Sequence, residues 1–266
     1  MKILMLGDCV GRPGRSVLQE YLPKMQKELG ADMIVANGEN ASGGRGLNRN
    51  GRDDLFRAGI DVITMGNHVW DNKELLQFID DEYRIVRPAN FPGDCPGRPY
   101  TIYTAPFNIK VAVINLCGRV FMQTLDCPFA AIDRILEEIG DEADYILVDF
   151  HAETTSEKLA FGYYVDGRVS AVVGTHTHVQ TSDECIFPKG TAYITDLGMT
   201  GVIESVLGVK KEVIIQKFLH QRPVRFELAA GRRKIQGLLI TFDDDTHKAT
   251  KVERISWFEP ENEEKR

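Results

Sequence analysis

The sequence predicts a layered α/β fold, on three observations. Short apolar segments rich in Val and Ile recur along the chain, a pattern that suits strands buried on both faces. Amphipathic stretches alternate with them, as helices do in layered α/β folds. The 266 residues, 43% hydrophobic and 27% charged, supply ample core for one large domain, and 1–266 is read as one.

The expected strands, in order, begin with KILMLGD (2–8). A helix follows, because Val17, Leu18, Tyr21, Leu22, Met25 and Leu29 share one face at helical spacing. Pro23 falls inside it and predicts a kink or an early break. DMIVANGEN (32–40), DVITMGNH (61–68) and VAVINLCG (111–118) come next. Ile132, Ile135, Leu136 and Ile139 mark a helix before YILVDFH (145–151), which AVVGTHTH (171–178) and AYITDLG (192–198) follow. The last third differs: VRFELA and then KIQGLLITFDDDTHKATKVERIS read as antiparallel strands around an acidic turn. The closing EPENEEKR (259–266) reads as a solvated, frayed charged tail.

A net charge of -7 disfavours an extended nucleic-acid surface, which needs basic patches. Five cysteines without a C-x-x-C spacing point away from a disulfide framework and toward a reducing compartment. Only four apolar residues, Ile3 to Leu6, precede Gly7-Asp8, too few for a signal-peptide core, and no run reaches membrane-spanning length. A cytoplasmic protein without a membrane partner is expected.

Chemistry collects at the strand ends. The first strand ends at Asp8, the second at Glu39-Asn40, the third at Asn67-His68, the fifth at His151, and the sixth at His176 and His178. If the strands run parallel these side chains converge on one rim, where open α/β sheets bind ligands. Burying two carboxylates with several imidazoles is costly without a cation. Mixed N and O donors suit Mn, Fe or Zn, and so many candidates suit two metals sharing a carboxylate. Two divalent ions, two carboxylates and one hydroxide leave a positive site, which favours an anionic ester. By themselves, His176 and His178 have a polar strand end as the lesser reading, and Asn40 has a mere hydrogen-bonding neighbour of Glu39 as its lesser reading. The glycine-rich loop GENASGGRG reads either as a phosphate-approaching turn or as a flexible loop. Asp149 and Glu153 flank His151 as candidate supports, Cys9 reads as packed, and Phe161, Tyr163 and Tyr164 read as core or oligomer contacts.

These motifs resemble the calcineurin-like metallophosphoesterases, which carry D-x-H, G-D-x-x-D, G-N-H-D/E, a further histidine, and G-H-x-H. The matching segments are GDCV, NGEN, MGNHVWD, DFHAE and VGTHTH, in that order. Val10 replaces the histidine of the first motif, Glu39 replaces the bridging aspartate, and Gly43 stands where a later aspartate is usual. With GDCVGRPGR, NGENASGGRGL, TMGNHVWDNKE, RPANFP and PKGTAYITDLGMTG, the departures match the YmdB-type branch. The resemblance implies an αββα four-layer sandwich with two central mixed sheets. It implies metal 1 on Asp8, Glu39 and His178, and metal 2 on Glu39, Asn67, His151 and His176, with Asn40 beside them as a further ligand. It makes His68 the proton donor. The implied cofactors are two divalent transition-metal ions, Fe or Mn first and Zn as an alternative. The implied reaction is hydrolysis of 2′,3′-cyclic nucleotides or 3′,5′-cyclic AMP by a metal-bound hydroxide.

The branch also implies a role in bacterial development and RNA turnover through a protein partner, and leaves a homo-oligomer open. Loss of the histidine at Val10 predicts weak holding of metal 1. Asp71 is one candidate substitute for the missing aspartate as the partner that orients His68, and the sequence does not fix that role. Two other readings compete: an amidohydrolase, disfavoured because H-x-H comes late in the chain, and a metal-stabilised regulatory protein acting through a partner.

Overall fold

Alternate residues of the first strand face two different cores, and this sets the layers. The computed structural model describes residues 1–261. In β1 (Lys2–Leu6), Leu4 and Leu6 pack with Val17, Leu18 and Leu22 of helix α1 (Gly11–Leu29). Ile3 and Met5 point the other way, into a second core shared with Val113 and Leu147. Those two belong to β7 (Lys110–Cys117) and β8 (Tyr145–His151), whose opposite face (Ile114, Leu116, Val148, Phe150) packs on Ile132 and Ile135 of α3 (Pro128–Ile139). The order is therefore helix, sheet, sheet, helix, and the structure bears out the mixed α/β sandwich.

The remaining elements, in chain order, are β2 (Asp8–Cys9), β3 (Met33–Asn37), α2 (Arg49–Arg57), β4 (Val62–Thr64), β5 (Ile85–Val86), β6 (Tyr100–Thr104), α4 (Thr155–Tyr164), β9 (Ala171–Thr175), β10 (Cys185–Ile186), β11 (Ala192–Ile194), β12 (Met199–Val202), α5 (Lys211–His220), β13 (Arg233–Phe242) and β14 (Ala249–Phe258). The first sheet runs β2-β12-β13-β1-β3-β4-β5, with β14 paired to β13. In it β1, β3, β4 and β5 are parallel, while β13 lies antiparallel to β1. The second sheet runs β10-β11-β9-β8-β7-β6, parallel except at its two edge strands.

Several expectations need correcting. Helix α1 does not break at Pro23 but continues to Leu29. Pro23 lies on its exposed face, so the carbonyl freed four residues back, at exposed Gln19, is left to water while Leu18, Leu22 and Met25 stay buried. VRFELA forms no strand; Leu228 makes one isolated bridge to Val209. The strands β3, β4 and β9 stop at Asn37, Thr64 and Thr175, short of the residues expected to end them. Of the charged tail, Glu259 and Glu261 pair with Arg233 and Arg232, and 262–266 fall outside the described residues.

One glycine is forced by the site. A Cβ at Gly7 would lie 2.1 Å from the Gly198 carbonyl oxygen. That close approach lets the chain leave β1 and pair Asp8 and Cys9 with Met199 and Thr200. Among the described residues no helix is long and apolar enough to cross a membrane.

Candidate metal centre

The carboxyl ends of parallel strands from both sheets meet here, so side chains far apart in sequence come within bonding range. Asp8 follows β1, Glu39 and Asn40 follow β3, Asn67 and His68 follow β4, His151 ends β8, and His176 and His178 follow β9. Asn67 Oδ1 lies 2.9 Å from His151 Nε2, Glu39 Oε1 3.1 Å from it, and His176 Nδ1 3.0 Å from it. His178 Nε2 lies 3.2 Å from Asn40 Oδ1 and 3.6 Å from Asp8 Oδ1. All eight residues named from the sequence are thus in one cluster, His68 included, since its backbone N–H donates to Glu39 Oε2 at 2.9 Å.

The two histidines after β9 are not presented by strand alternation. His176 has φ 100° and His178 φ 63°, so both sit in left-handed bends that L side chains avoid. Such conformations cost about 1–3 kcal/mol each and persist only where the surroundings enforce them. Here the backbone N–H of His176 donates to Asp8 Oδ2 and that of Thr177 donates to Asp196 Oδ2, both at 3.1 Å.

Outer hydrogen bonds set which nitrogen faces inward. Thr175 Oγ1 donates to Asp149 Oδ1 at 2.6 Å and so accepts from His151 Nδ1 at 2.9 Å. His176 Nε2 faces Glu153 Oε2 at 3.0 Å, and His178 Nδ1 donates to the Leu207 carbonyl at 3.3 Å. With neutral rings the inward atoms are then His151 Nε2, His176 Nδ1 and His178 Nε2, each with a lone pair. Two of these nitrogens face each other 3.0 Å apart, which is unfavourable unless a proton or a metal ion lies there. Asp8 Oδ1 is buried and has no hydrogen-bond partner among the described residues.

The titration behaviour carries the same message. Burial opposes charge on Asp8 and Glu39. Even so, His178 and His151 hold the Asp8 carboxyl far below the usual range, and His151 lowers Glu39. Burial likewise disfavours a charged His151, but Glu39, then Asp8 and Asp149, push it up to about 9. Buried carboxylates here demand positive charge, which a metal ion satisfies as a proton would. Glu39, His151 and His176 each offer a ligand atom within 4.8 Å of the others. The N and O donor set fits divalent transition metals.

His68 is oriented as the sequence suggested: its Nδ1 lies 2.9 Å from Asp71 Oδ2. Val10, where the resemblance would have a histidine, is buried and packs against the Gly208 turn beside Leu207. Burial pushes the adjacent Cys9 thiol up to about 12, so it is packed rather than reactive. Phe161 is core, stacked on Phe150 at 4.3 Å.

Of the supporting residues, Asp149 and Glu153 were named from the sequence, while Lys158 and Asp196 were missed. Asp149 accepts from Thr175, Thr64 and Asn37, and burial pushes its carboxyl up to about 6 against the pull of His151 and those bonds. Lys158 is fully buried in α4, with Nζ 2.8 Å from the Thr175 carbonyl and 2.7 Å from Asp196 Oδ2. The pair braces the strained bend from below. Lys158→Met should lower the unfolding free energy by about 3–5 kcal/mol, because Asp196 is then buried without its cation. A urea titration reads this, and an unchanged midpoint and slope would contradict it. The one signal available was a lysine in DFHAETTSEK whose position is otherwise unremarked.

The fold and the site define the class, a phosphodiesterase of the metallophosphoesterase type. The family described as YmdB-like protein matches residues 4–255, and the chain belongs to that family. The Bacillus subtilis (strain 168) protein named 2′,3′-cyclic-nucleotide 2′-phosphodiesterase is 52% identical over 255 residues, 96% of each chain. A hypothetical protein from Thermus thermophilus superposes with a TM-score of 0.92 at 40% identity, covering 98% of this chain and 100% of that one. A Mycoplasma pneumoniae chain described as a novel phosphatase gives 0.91 at 34%, covering 97% and 93%.

Proposed function

We propose that this chain hydrolyses 2′,3′-cyclic nucleotides, with 3′,5′-cyclic AMP as a second ester, in the cytoplasm and with two divalent metal ions, iron or manganese ahead of zinc. The observation that carries the reading is the convergence of Asn67, Glu39 and His176 on His151 Nε2, beside an Asp8 oxygen without a partner. The likeness to the B. subtilis enzyme supports the substrate class.

Asp8, Glu39, Asn40 and His178 would hold one ion; Glu39, Asn67, His151 and His176 would hold the other. Bound there, such ions supply Lewis acidity toward phosphoryl oxygens and a water of lowered pKa. Glu39 would be the shared ligand, with Oε1 facing His151 and Oε2 held by the His68 N–H. Asp71 holds His68 through Nδ1, so Nε2 is the atom that hands a proton to the leaving ribose oxygen. The same protein would act in development and RNA turnover through a protein partner.

The test is a paired assay of bis-p-nitrophenyl phosphate and 2′,3′-cyclic AMP with Mn²⁺. Hydrolysis of both is expected; a folded, metal-loaded sample inert toward both would sink the reading. Asp71→Asn should lower kcat about 10-fold or more while KM and metal content hold, as loss of an orienting carboxylate does. Steady-state kinetics with metal analysis reads it, and a wild-type kcat would remove Asp71 from the account.

A further inference from the structure

Beside the metal centre lies a cleft of about 580 Å³, within the range of roughly 300–1,000 Å³ usual for small-ligand sites. One wall is the turn Ser42–Arg45. It follows Asn40 in the chain, and Asn40 Nδ2 donates to the Gly44 carbonyl at 3.0 Å. The turn is tied down by Ser42, which bonds to Gly46 and Asn48, and Gly43 and Gly44 take φ of 66° and 91°. The other wall is formed by Val209, Lys217 and Phe226, in the segment after Leu207, whose carbonyl holds His178. One wall therefore follows Asn40 of the metal centre in the chain, and the other follows Leu207, whose backbone carbonyl bonds to His178.

Their chemistry differs from that of the rest of the surface. Residues 209–228 carry five basic side chains against two acidic ones, in a chain of net charge -7. Lys210 is neutralised by Glu227 at 2.6 Å. Lys217 has no carboxylate partner among the described residues; its Nζ lies 4.8 Å from the centre of the Phe226 ring. That ring is 43% exposed. Across the cleft, Arg45 is 60% exposed, with Nη1 3.8 Å from the Asp71 oxygen that orients His68. A part-exposed aromatic ring with one flexible cation over its face and a second across the cleft suits a flat, anionic, π-rich ligand, which takes the place of the Lys217 head over the ring.

We infer that this cleft is the nucleoside subsite, in which Phe226 stacks on the base while Arg45 and Lys217 face the anionic oxygens of a nucleotide whose phosphate lies at the metal centre. The inference rests on the phosphodiesterase reading and adds to it the residues that select a nucleotide over a simple diester.

Calorimetric titration of the Mn²⁺-loaded protein with adenosine 3′-monophosphate, and separately with inorganic phosphate, tests it. Phe226→Ala should weaken the nucleotide about 10-fold, the scale of one lost stacking contact, and leave phosphate within about twofold. Phe226→Trp should restore the nucleotide, which a merely structural role for the ring would not require. Unchanged nucleotide binding in Phe226→Ala, or an equal loss of phosphate, would overturn the subsite. Hydrolysis of methyl p-nitrophenyl phosphate and 2′,3′-cyclic AMP by the wild type reports on the parent reading alone. If both esters resist while the nucleotide still binds through Phe226, the subsite stands and the activity falls. If both are hydrolysed and Phe226→Ala leaves KM for 2′,3′-cyclic AMP unchanged, the subsite falls and the activity stands.

Discussion

His68→Ala is expected to keep two metal equivalents per chain and to lose about 10²–10⁴-fold in kcat, the usual range for a missing general acid. The separation of the two effects follows from geometry. The His68 ring contributes no atom to the cluster around His151; it turns to Asp71, and only its backbone N–H touches Glu39. Alanine keeps that N–H. The loss should be greatest for esters with poor leaving groups such as ribose oxygen, and smaller for p-nitrophenolate, which leaves without a proton. Kinetics on both esters, with metal analysis of the same sample, check this. Wild-type turnover of 2′,3′-cyclic AMP would remove His68 from the mechanism, and loss of metal would make it structural.

Glu39→Gln should have the larger effect. The substitution keeps volume and most hydrogen bonds but removes one of the two carboxylate charges at the centre. Glu39 is 1% exposed and faces His151 Nε2 at 3.1 Å, so no water replaces the lost charge. Removing several kcal/mol of charge stabilisation corresponds to on the order of 10³-fold or more in kcat/KM. Metal content should fall below two equivalents in the same variant. Full occupancy with wild-type kcat/KM would show that Glu39 does not bridge.

The residues that cluster at the strand ends were legible in the sequence because their residue types are unusual where they stand. A carboxylate, an amide or an imidazole directly after an apolar run has few other reasons to be there, and five such positions in one chain order make a rim. Asp71 was only a candidate in the sequence; its bond to the His68 ring, three residues away, is seen in the structure. What stayed hidden depends on contacts distant in sequence. Positive φ at His176 and His178 leaves no trace in THTH, since the bends are imposed by Asp8 and by Asp196, which bonds the intervening Thr177. Lys158 and Asp196 are separated by 38 positions, and their pairing follows from how α4 lies under β9. The site of β13 was likewise invisible: it reads as half of a hairpin with β14, yet it also enters the first sheet between β1 and β12. Pro23 misled for the opposite reason, because a local rule yields when the lost hydrogen bond faces water.

The central claim is a pair of ions sharing Glu39, and anomalous diffraction at the manganese edge from crystals grown with Mn²⁺ tests it most directly. The account predicts two peaks, one among Asp8, Glu39, Asn40 and His178 and one among Glu39, Asn67, His151 and His176. A single peak, or none with Asp8 Oδ1 still unpartnered, would contradict it.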